Sequence, residues 1–285
     1  MQPEMTTPLR RCIAAATLVL ALAGCTSLPL PRQHAEPLLG PQAVTNPPVD
    51  ATFDYQIGGS YAPASSVGVV TRDRHDAAAA NAYSICYVNA FQTQPDEKAY
   101  WTRHHRSLLL RKDGKLVTDP GWPGEHLLDT STAKKRAALA RVVGRWIDDC
   151  AASGFSAVEP DNLDSWTRSG GRLSRSENLA LAKLLVERAH AAGLAIGQKN
   201  TAEIGDAGRF QVGFDFAIAE ECQVYDECGD YTDVYGNNVI EIEYADNPHR
   251  AYRQACAARG DDIAVILRDR DVVARGRPGY VYRSC

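Results

Sequence analysis

Short apolar runs bounded by turn residues recur eight times along the chain: Phe53–Ile57, Val67–Thr71, Ser84–Asn89, Phe155–Val158, Leu194–Gly197, Phe214–Ala219, Val239–Glu243 and Ile263–Leu267. Their length and punctuation are those of buried strands. Between several of them the period changes. Leu139, Val142, Val143, Trp146, Ile147 and Cys150 recur at the three-and-four spacing of one buried helix face. A second helix is announced by Ser174-Arg175-Ser176-Glu177, a capping box, continues through Leu181, Leu184 and Leu185, and stops at Gly193. Strands that alternate with helices predict a parallel sheet. The stretch from Phe91 to Thr130 is too long for a simple connection and predicts an elaborated loop over one end of the sheet.

Residues 51–285 fall within the roughly 200 to 250 residues that one α/β barrel occupies. Eight strand units in that length favour a TIM-like (β/α)8 barrel over an open doubly wound sheet. No GxGxxG or GxxxxGK turn is present, which removes the nucleotide-binding variants.

The barrel domain is expected to begin near Ala51. Before it, Pro29, Pro31, Pro37, Pro41, Pro47 and Pro48 mark residues 25–50 as an extended tether. Residues 1–24 read as a signal peptide: Arg10 and Arg11 precede the apolar run Ile13–Leu22, which is too short to span a bilayer and ends in Leu22-Ala23-Gly24-Cys25. That ending resembles the bacterial lipobox, in which the Cys becomes the lipidated first residue. It implies an exported protein anchored to the cell membrane through lipid on Cys25 alone; an ordinary signal peptide with a chance Cys is the alternative. The composition, 45% hydrophobic and 23% charged, is that of a globular domain. A formal charge of -4 offers no general excess of cations for a phosphate backbone, so nucleic acid is not an expected partner. A monomer is expected.

Six cysteines lie beyond Cys12 and Cys25: Cys86, Cys150, Cys222, Cys228, Cys256 and Cys285. An even number in an exported chain predicts three disulfides, although six cysteines permit 15 pairings and the sequence does not choose among them. The expected set is Cys222–Cys228 as a loop staple, Cys256–Cys285 tying down the C-terminus, and Cys86–Cys150 by elimination. Zinc is the competing use, but no CxxC occurs and the His residues lack HExxH spacing, so neither a metal nor a cofactor is expected.

In such barrels chemistry gathers where the strands end. Here the runs lead into Asp54-Tyr55-Gln56, Cys86-Tyr87-Val88-Asn89, Glu159-Pro160-Asp161-Asn162-Leu163-Asp164, Gln198-Lys199-Asn200, Glu220-Glu221-Cys222 and Glu241-Ile242-Glu243-Tyr244. Carboxylates after strands four and six would converge across the barrel mouth, as a glycosidase requires for one acid and one nucleophile or base. Any single carboxylate is more often a helix cap or a solvated group; the joint placement raises the odds of function. Trp101, Trp122, Trp166, Tyr87, Tyr225 and Tyr244 fall near these ends or in the long loop, where flat rings can stack on sugars. A Ser nucleophile fits poorly, because Gly154-Phe155-Ser156-Ala157-Val158 lacks the second Gly of GxSxG. From Glu220 to Asp246 there are nine acidic residues and no Lys or Arg, an imbalance that would suit a cationic ligand if it lined a cleft.

Phe53-Asp54-Tyr55-Gln56, Ile85-Cys86-Tyr87, Trp122-Pro123-Gly124-Glu125, Glu159-Pro160-Asp161-Asn162, Lys199-Asn200, Phe214-Asp215-Phe216, Glu220-Glu221-Cys222 and Tyr225-Asp226-Glu227-Cys228 together resemble glycoside hydrolase family 114, the endo-α-1,4-polygalactosaminidases. The resemblance spans nearly all of residues 51–285 and implies a TIM-like barrel that cleaves α-1,4-linked galactosamine in a cationic microbial exopolysaccharide. It implies Asp161 as the catalytic Asp of strand four and Glu220 as the catalytic Glu of strand six. Glu221 is the rival to Glu220, because strand alternation aims neighbours at opposite faces and the register is open. On this reading Asp161 is nucleophile and Glu220 acid and then base, giving retention, with inversion through Asp161 as base the alternative. Asp54, Asp164 and Glu243 would bind ring amines or hydroxyls, Lys199 and Asn200 would hold the carboxylates, and Tyr87 and Trp122 would offer stacking faces. Two other classes compete: a carbohydrate-binding lipoprotein without catalysis, and a metal-dependent polysaccharide deacetylase, for which these His residues supply no ligand set.

Overall fold

The computed structural model describes residues 44–49 and 51–285. The signal-like segment, Cys25 and most of the proline-rich stretch lie outside them. Eight strands form one parallel sheet in sequence order: β1 (Phe53–Gln56), β2 (Val69–Asp73), β3 (Tyr83–Asn89), β4 (Ala157–Asp161), β5 (Ala195–Lys199), β6 (Phe216–Glu220), β7 (Val239–Tyr244) and β8 (Ala264–Arg268). A ninth, β9 (Tyr282–Ser284), runs antiparallel to β8 at the seam with β1. There the Tyr282 hydroxyl donates to the Phe53 carbonyl at 2.9 Å and Gly58 bridges Val273, so the sheet nearly closes into a barrel. Gly58 is dictated by that closure, since a Cβ would lie 2.4 Å from the Val272 carbonyl oxygen.

Alternate residues of each strand fill the barrel interior, among them Phe53, Ile85, Ala157, Ala195, Phe216, Ile218, Ile240, Ile242 and Ile266. Gly197 faces the Phe216 ring, which a Cβ there would meet at 2.8 Å. The opposite faces pack against α2 (Ala133–Ala152), α3 (Arg175–Ala191), α5 (Cys228–Tyr235) and α6 (Arg250–Arg259), with α1 (Lys98–His104) in the long loop and the single turn α4 (Cys222–Tyr225) after β6. The predicted face of α2, from Leu139 to Cys150, is buried. The predicted capping box of α3 is formed, with Ser174 accepting from Glu177 N and Glu177 accepting from Ser174 N.

The first two crossovers differ from an ideal (β/α)8 unit. Residues 57–68 are rich in Gly, Ser and Pro and residues 74–82 are few, so neither forms a helix. Residues 44–49, ahead of the boundary expected at Ala51, meet the base of the barrel: the Tyr83 hydroxyl donates to the Thr45 carbonyl and Val44 packs against the interior cluster that holds Val69 and Phe216. The disulfides are Cys86–Cys150, Cys222–Cys228 and Cys256–Cys285, the expected set. They join β3 to α2, close the loop after β6, and tie α6 to the C-terminus. Cys222, Cys228 and Glu241 bring their ligand-type atoms together, but the two sulfurs are consumed by their bond.

Candidate active site

The long loop 91–130 folds over the C-terminal rim of the barrel. It buries Phe91, Trp101, Leu108, Leu109, Leu127 and Leu128, and a ribbon of Arg111–Lys112 against Lys115–Leu116 stiffens it. Between this loop and the strand ends opens a cleft of about 530 Å³. Its floor follows from the pleat. The interior positions that are apolar deep in the barrel become polar at the rim: Tyr55, Tyr87, Asp161, Lys199, Glu220 and Tyr244 are each two or four residues beyond an interior apolar residue of the same strand, and all line the cleft.

Lys199 is the hub. Only 2% exposed, its Nζ lies 3.5 Å from Asp161 Oδ1, 3.2 Å from Glu220 Oε2 and 3.0 Å from Glu159 Oε1. Burial pulls its pKa down, but the three carboxylates hold it well above the ordinary Lys value. Asp161 also accepts from the Tyr87 hydroxyl at 2.8 Å. Burial pushes its carboxyl up, but the Lys199 charge, the Tyr87 bond and the Asn162 N–H outweigh it and keep the group below its usual range, ionised. Glu220 accepts from Asn200 Nδ2 at 2.7 Å and from the Tyr244 hydroxyl, and its own N–H donates to Asn200 Oδ1 at 2.8 Å. That reciprocal pair fixes which way the Asn200 amide faces. Tyr87 and Tyr244, both raised well above the ordinary phenol value by burial and by the carboxylate each touches, stay protonated and donate.

The residues that follow β4, β5 and β6 have left-handed backbones: Asn162 (φ 65°), Asn200 (φ 50°), Thr201 (φ 69°) and Glu221 (φ 62°). For Thr and Glu this conformation is strained, and its concentration around one rim is the pattern of a working site. The turn at Glu221 also answers the register question. Glu220 points into the cleft, whereas Glu221 is turned onto Arg270 at 2.7 and 3.0 Å and onto Asn247. Despite the upward push of burial, these partners hold Glu221 below its ordinary range.

The other expected residues divide. Trp122, 53% exposed, lines the cleft and presents a free ring face. Asp164 lines it too, but its carboxylate is paired with Arg168 at 2.6 Å. Asp54 and Glu243 are corrections. Each is one residue away from an interior Tyr, so each faces away from the cleft: Asp54 accepts from Gln56 and Tyr61, and Glu243 accepts from Gln223 N. Trp101 is fully buried, Trp166 packs against the core, and Tyr225 is exposed outside the cleft. The acidic segment likewise lies mostly outside the cleft. Glu221 and Asp246 pair with Arg270, Glu241 pairs with Arg259, and of the nine acids only Glu220 lines the cleft.

The cleft is nevertheless acidic. Asp119, Glu125, Asp161, Asp164, Glu220 and Asp271 line it against Arg168, Lys199 and Arg270. Asp119, Glu125, Arg168 and Arg270 carried no role in the sequence reading, because the long loop and the rim pairs that deliver them have no local signature. Burial pushes Glu125 up to about 7, opposed by its bond from Asn89 and reinforced by Asp161. Tyr55 and Glu159 carried no role either; the signal available for them is their spacing of two from Phe53 and Asp161, which puts each on the same face as that residue once the register is fixed.

The fold has solved counterparts. Aspergillus fumigatus Ega3, crystallised in complex with galactosamine, superposes with a TM-score of 0.67 at 20% identity over 85% of this chain and 98% of that one. The glycoside hydrolase domain of PelA from Pseudomonas aeruginosa gives 0.55 at 14% identity over 79% and 96%. No curated protein sequence matches the chain at a significant level. The sequence profile of Glycoside-hydrolase family GH114 matches residues 34–285, so the chain belongs to that family of glycoside hydrolases.

Proposed function

We propose that the protein hydrolyses α-1,4-linked galactosamine in a cationic exopolysaccharide, with Asp161 as nucleophile and Glu220 as acid and then base. The observation that carries this reading is that two carboxylates from the strands on either side of β5 share one buried ammonium, Lys199, at the floor of one acidic cleft. Asp161 Oδ1 attacks the anomeric carbon as the glycosidic C–O bond breaks, and the departing oxygen takes the proton of Glu220. Water then attacks the glycosyl ester, returns a proton to Glu220 and releases the Asp161 carboxylate. The oxygens that share Lys199 are at most about 6.7 Å apart, the sum of their two distances to Nζ, a bound that accommodates the roughly 5 to 5.5 Å of a retaining pair. Asp164 and Glu125 would meet ring amines and Trp122 a sugar face. Ega3 was crystallised with galactosamine, which supports the choice of sugar. Export and lipid anchoring through Cys25 complete the proposal and place the enzyme where a secreted polymer would meet it.

Incubation of the full chain with partly deacetylated polygalactosamine should yield shortened oligomers whose first-formed reducing ends are α by proton NMR. Asp161→Asn and Glu220→Gln should each lose roughly 10²- to 10⁴-fold in rate while still retaining polymer. First-formed β ends would replace retention by inversion. Near-normal turnover in either variant would remove that residue from the mechanism.

A further inference from the structure

Among the described residues, the groups bonded to the Glu220 carboxylate all donate to it: Asn200, Tyr244 and the Lys199 ammonium. All three are donors suited to a carboxylate, whereas a general acid must hold its proton. A compensating negative charge is needed, and Asp161 alone only balances Lys199. Directly beneath Lys199 lies a carboxylate that the reaction above does not use. Glu159 is 0% exposed, accepts from the Tyr55 hydroxyl at 2.8 Å, and lies 3.0 Å from Lys199 Nζ, the shortest of that ammonium's carboxylate contacts. Its second oxygen, Oε2, is buried without a partner. An ammonium has three N–H bonds, yet Lys199 Nζ faces four acceptors, the Tyr55 oxygen at 3.2 Å included. The acceptors therefore compete for it.

We propose that Glu159 is a positioning residue that acts through Lys199: by drawing that charge downward and opposing it, Glu159 keeps the acid proton on Glu220. The inference rests on the assignment of Glu220 as the acid. The ionisable groups around Glu159 come from six strands: Tyr55 on β1, Tyr87 opposite it on β3, Asp161 on its own β4, Lys199 on β5, Glu220 on β6 and Tyr244 on β7. Lys199 is the only cation among them, so ionised Glu159 leaves the cluster net negative while Glu220 is protonated, and loss of that proton would add a further buried negative charge. Burial, partly opposed by Lys199, pushes Glu159 up to about 7, so its charge develops across neutral pH.

Glu159→Gln keeps the shape and an acceptor for Tyr55 and Lys199 but cannot become negative. The alkaline limb of kcat/KM on polygalactosamine should move to lower pH by about one unit, the displacement expected when one close charge is removed. On an α-glycoside of a galactosamine oligomer with a nitrophenol leaving group, which departs without a proton, the same variant should lose much less. An unmoved limb, or one moved to higher pH, would overturn the proposal, as would an equal loss on both substrates. If Glu159→Gln does not fold, Tyr55→Phe removes a hydrogen bond that favours ionised Glu159 and should move the limb in the same direction by less; an unmoved limb there would also overturn it. Glu220→Gln reports on the assignment beneath. It should be slow on polymer and comparatively fast in glycosylation by the nitrophenyl substrate, and equal slowness on both would refute Glu220 as the acid whatever Glu159 does.

Discussion

Tyr244 and Glu243 are neighbours on one strand and face opposite ways, and the two faces carry different consequences. The Tyr244 hydroxyl donates to Glu220, and the Arg270 guanidinium lies 4.4 Å over its ring. Tyr244→Phe deletes one hydrogen bond to a charged group, an interaction of about 1.5 to 3 kcal/mol, so kcat should fall roughly 10- to 100-fold with little change in KM; an altered KM with unchanged kcat would make Tyr244 a binding residue instead. Glu243, behind the sheet, has a buried oxygen without a partner, and burial pushes its carboxyl up to about 7 despite the bond from Gln223 N. In the unfolded chain it ionises near about 4.3. Across that interval the folded state binds more protons than the unfolded one, so the stability this group contributes at low pH is lost as pH rises towards 7. Glu243→Gln does not ionise. Urea midpoints of variant and wild type should therefore diverge in the variant's favour between pH 5 and pH 8, and a difference that stays constant would show that ionised Glu243 is tolerated where it lies.

At the scale of elements, the disulfides separate stability from activity. Cys86–Cys150 links β3 to α2 across 64 residues, whereas Cys222–Cys228 closes only 6. Loop entropy assigns about 4.3 kcal/mol to the first and about 2.2 kcal/mol to the second. Replacing both members of the long bridge by Ala should lower the denaturation midpoint more. Replacing both members of the short one should cost proportionally more activity, because its loop starts two residues after Glu220; thermal melting and initial rates on the same two variants check the contrast, and equal activity losses would show that the staple does not steady the rim. The eight strands were legible because apolar runs between turn residues are a local signal, yet the runs end before the strands do. β4, β5 and β6 continue through Asp161, Lys199 and Glu220, whose polarity is the mark of the cleft and hides the strand. For the same reason the face of each rim residue was open: a pleat changes sides with every residue, so Asp54 and Glu243 read as well as Tyr55 and Tyr244 until barrel closure fixed the register. Asp119 and Glu125 were hidden differently. Their positions depend on Gln92 in the loop, Asn89 at the end of β3 and Arg168 after β4, partners distant in sequence and invisible to any local pattern.

For the whole molecule, the distribution of charge predicts how substrate arrives. The sequence concentrates acid between Glu220 and Asp246, but the fold neutralises part of that segment with Arg259 and Arg270 and turns Asp226, Asp230 and Asp233 to solvent away from the cleft. The field that a cationic polymer would meet comes instead from carboxylates gathered from the long loop and the strand ends, six against three cations. A cleft lined by one sign of charge concentrates the opposite sign, and salt screens the effect as the Debye length shrinks from about 10 Å at 0.1 M to about 3 Å at 1 M. Initial rates on deacetylated polygalactosamine below saturation should therefore fall as salt rises. On fully N-acetylated polymer, which carries no amine charge, the salt dependence should vanish and most cleavage with it. Two variants locate the source. Glu125→Gln, assayed at pH 7 where a carboxyl near 7 is partly ionised and the ring amines still carry charge, should weaken the salt dependence, and at pH 5.5, where the carboxyl is already neutral, it should do so far less. Asp230→Asn combined with Asp233→Asn removes two charges from the acidic segment outside the cleft and should leave rate and salt slope as they were. If the α5 double variant flattens the slope and Glu125→Gln does not, attraction belongs to the acidic segment as a surface and not to the cleft wall; if neither polymer shows a salt dependence, recognition rests on ring shape alone.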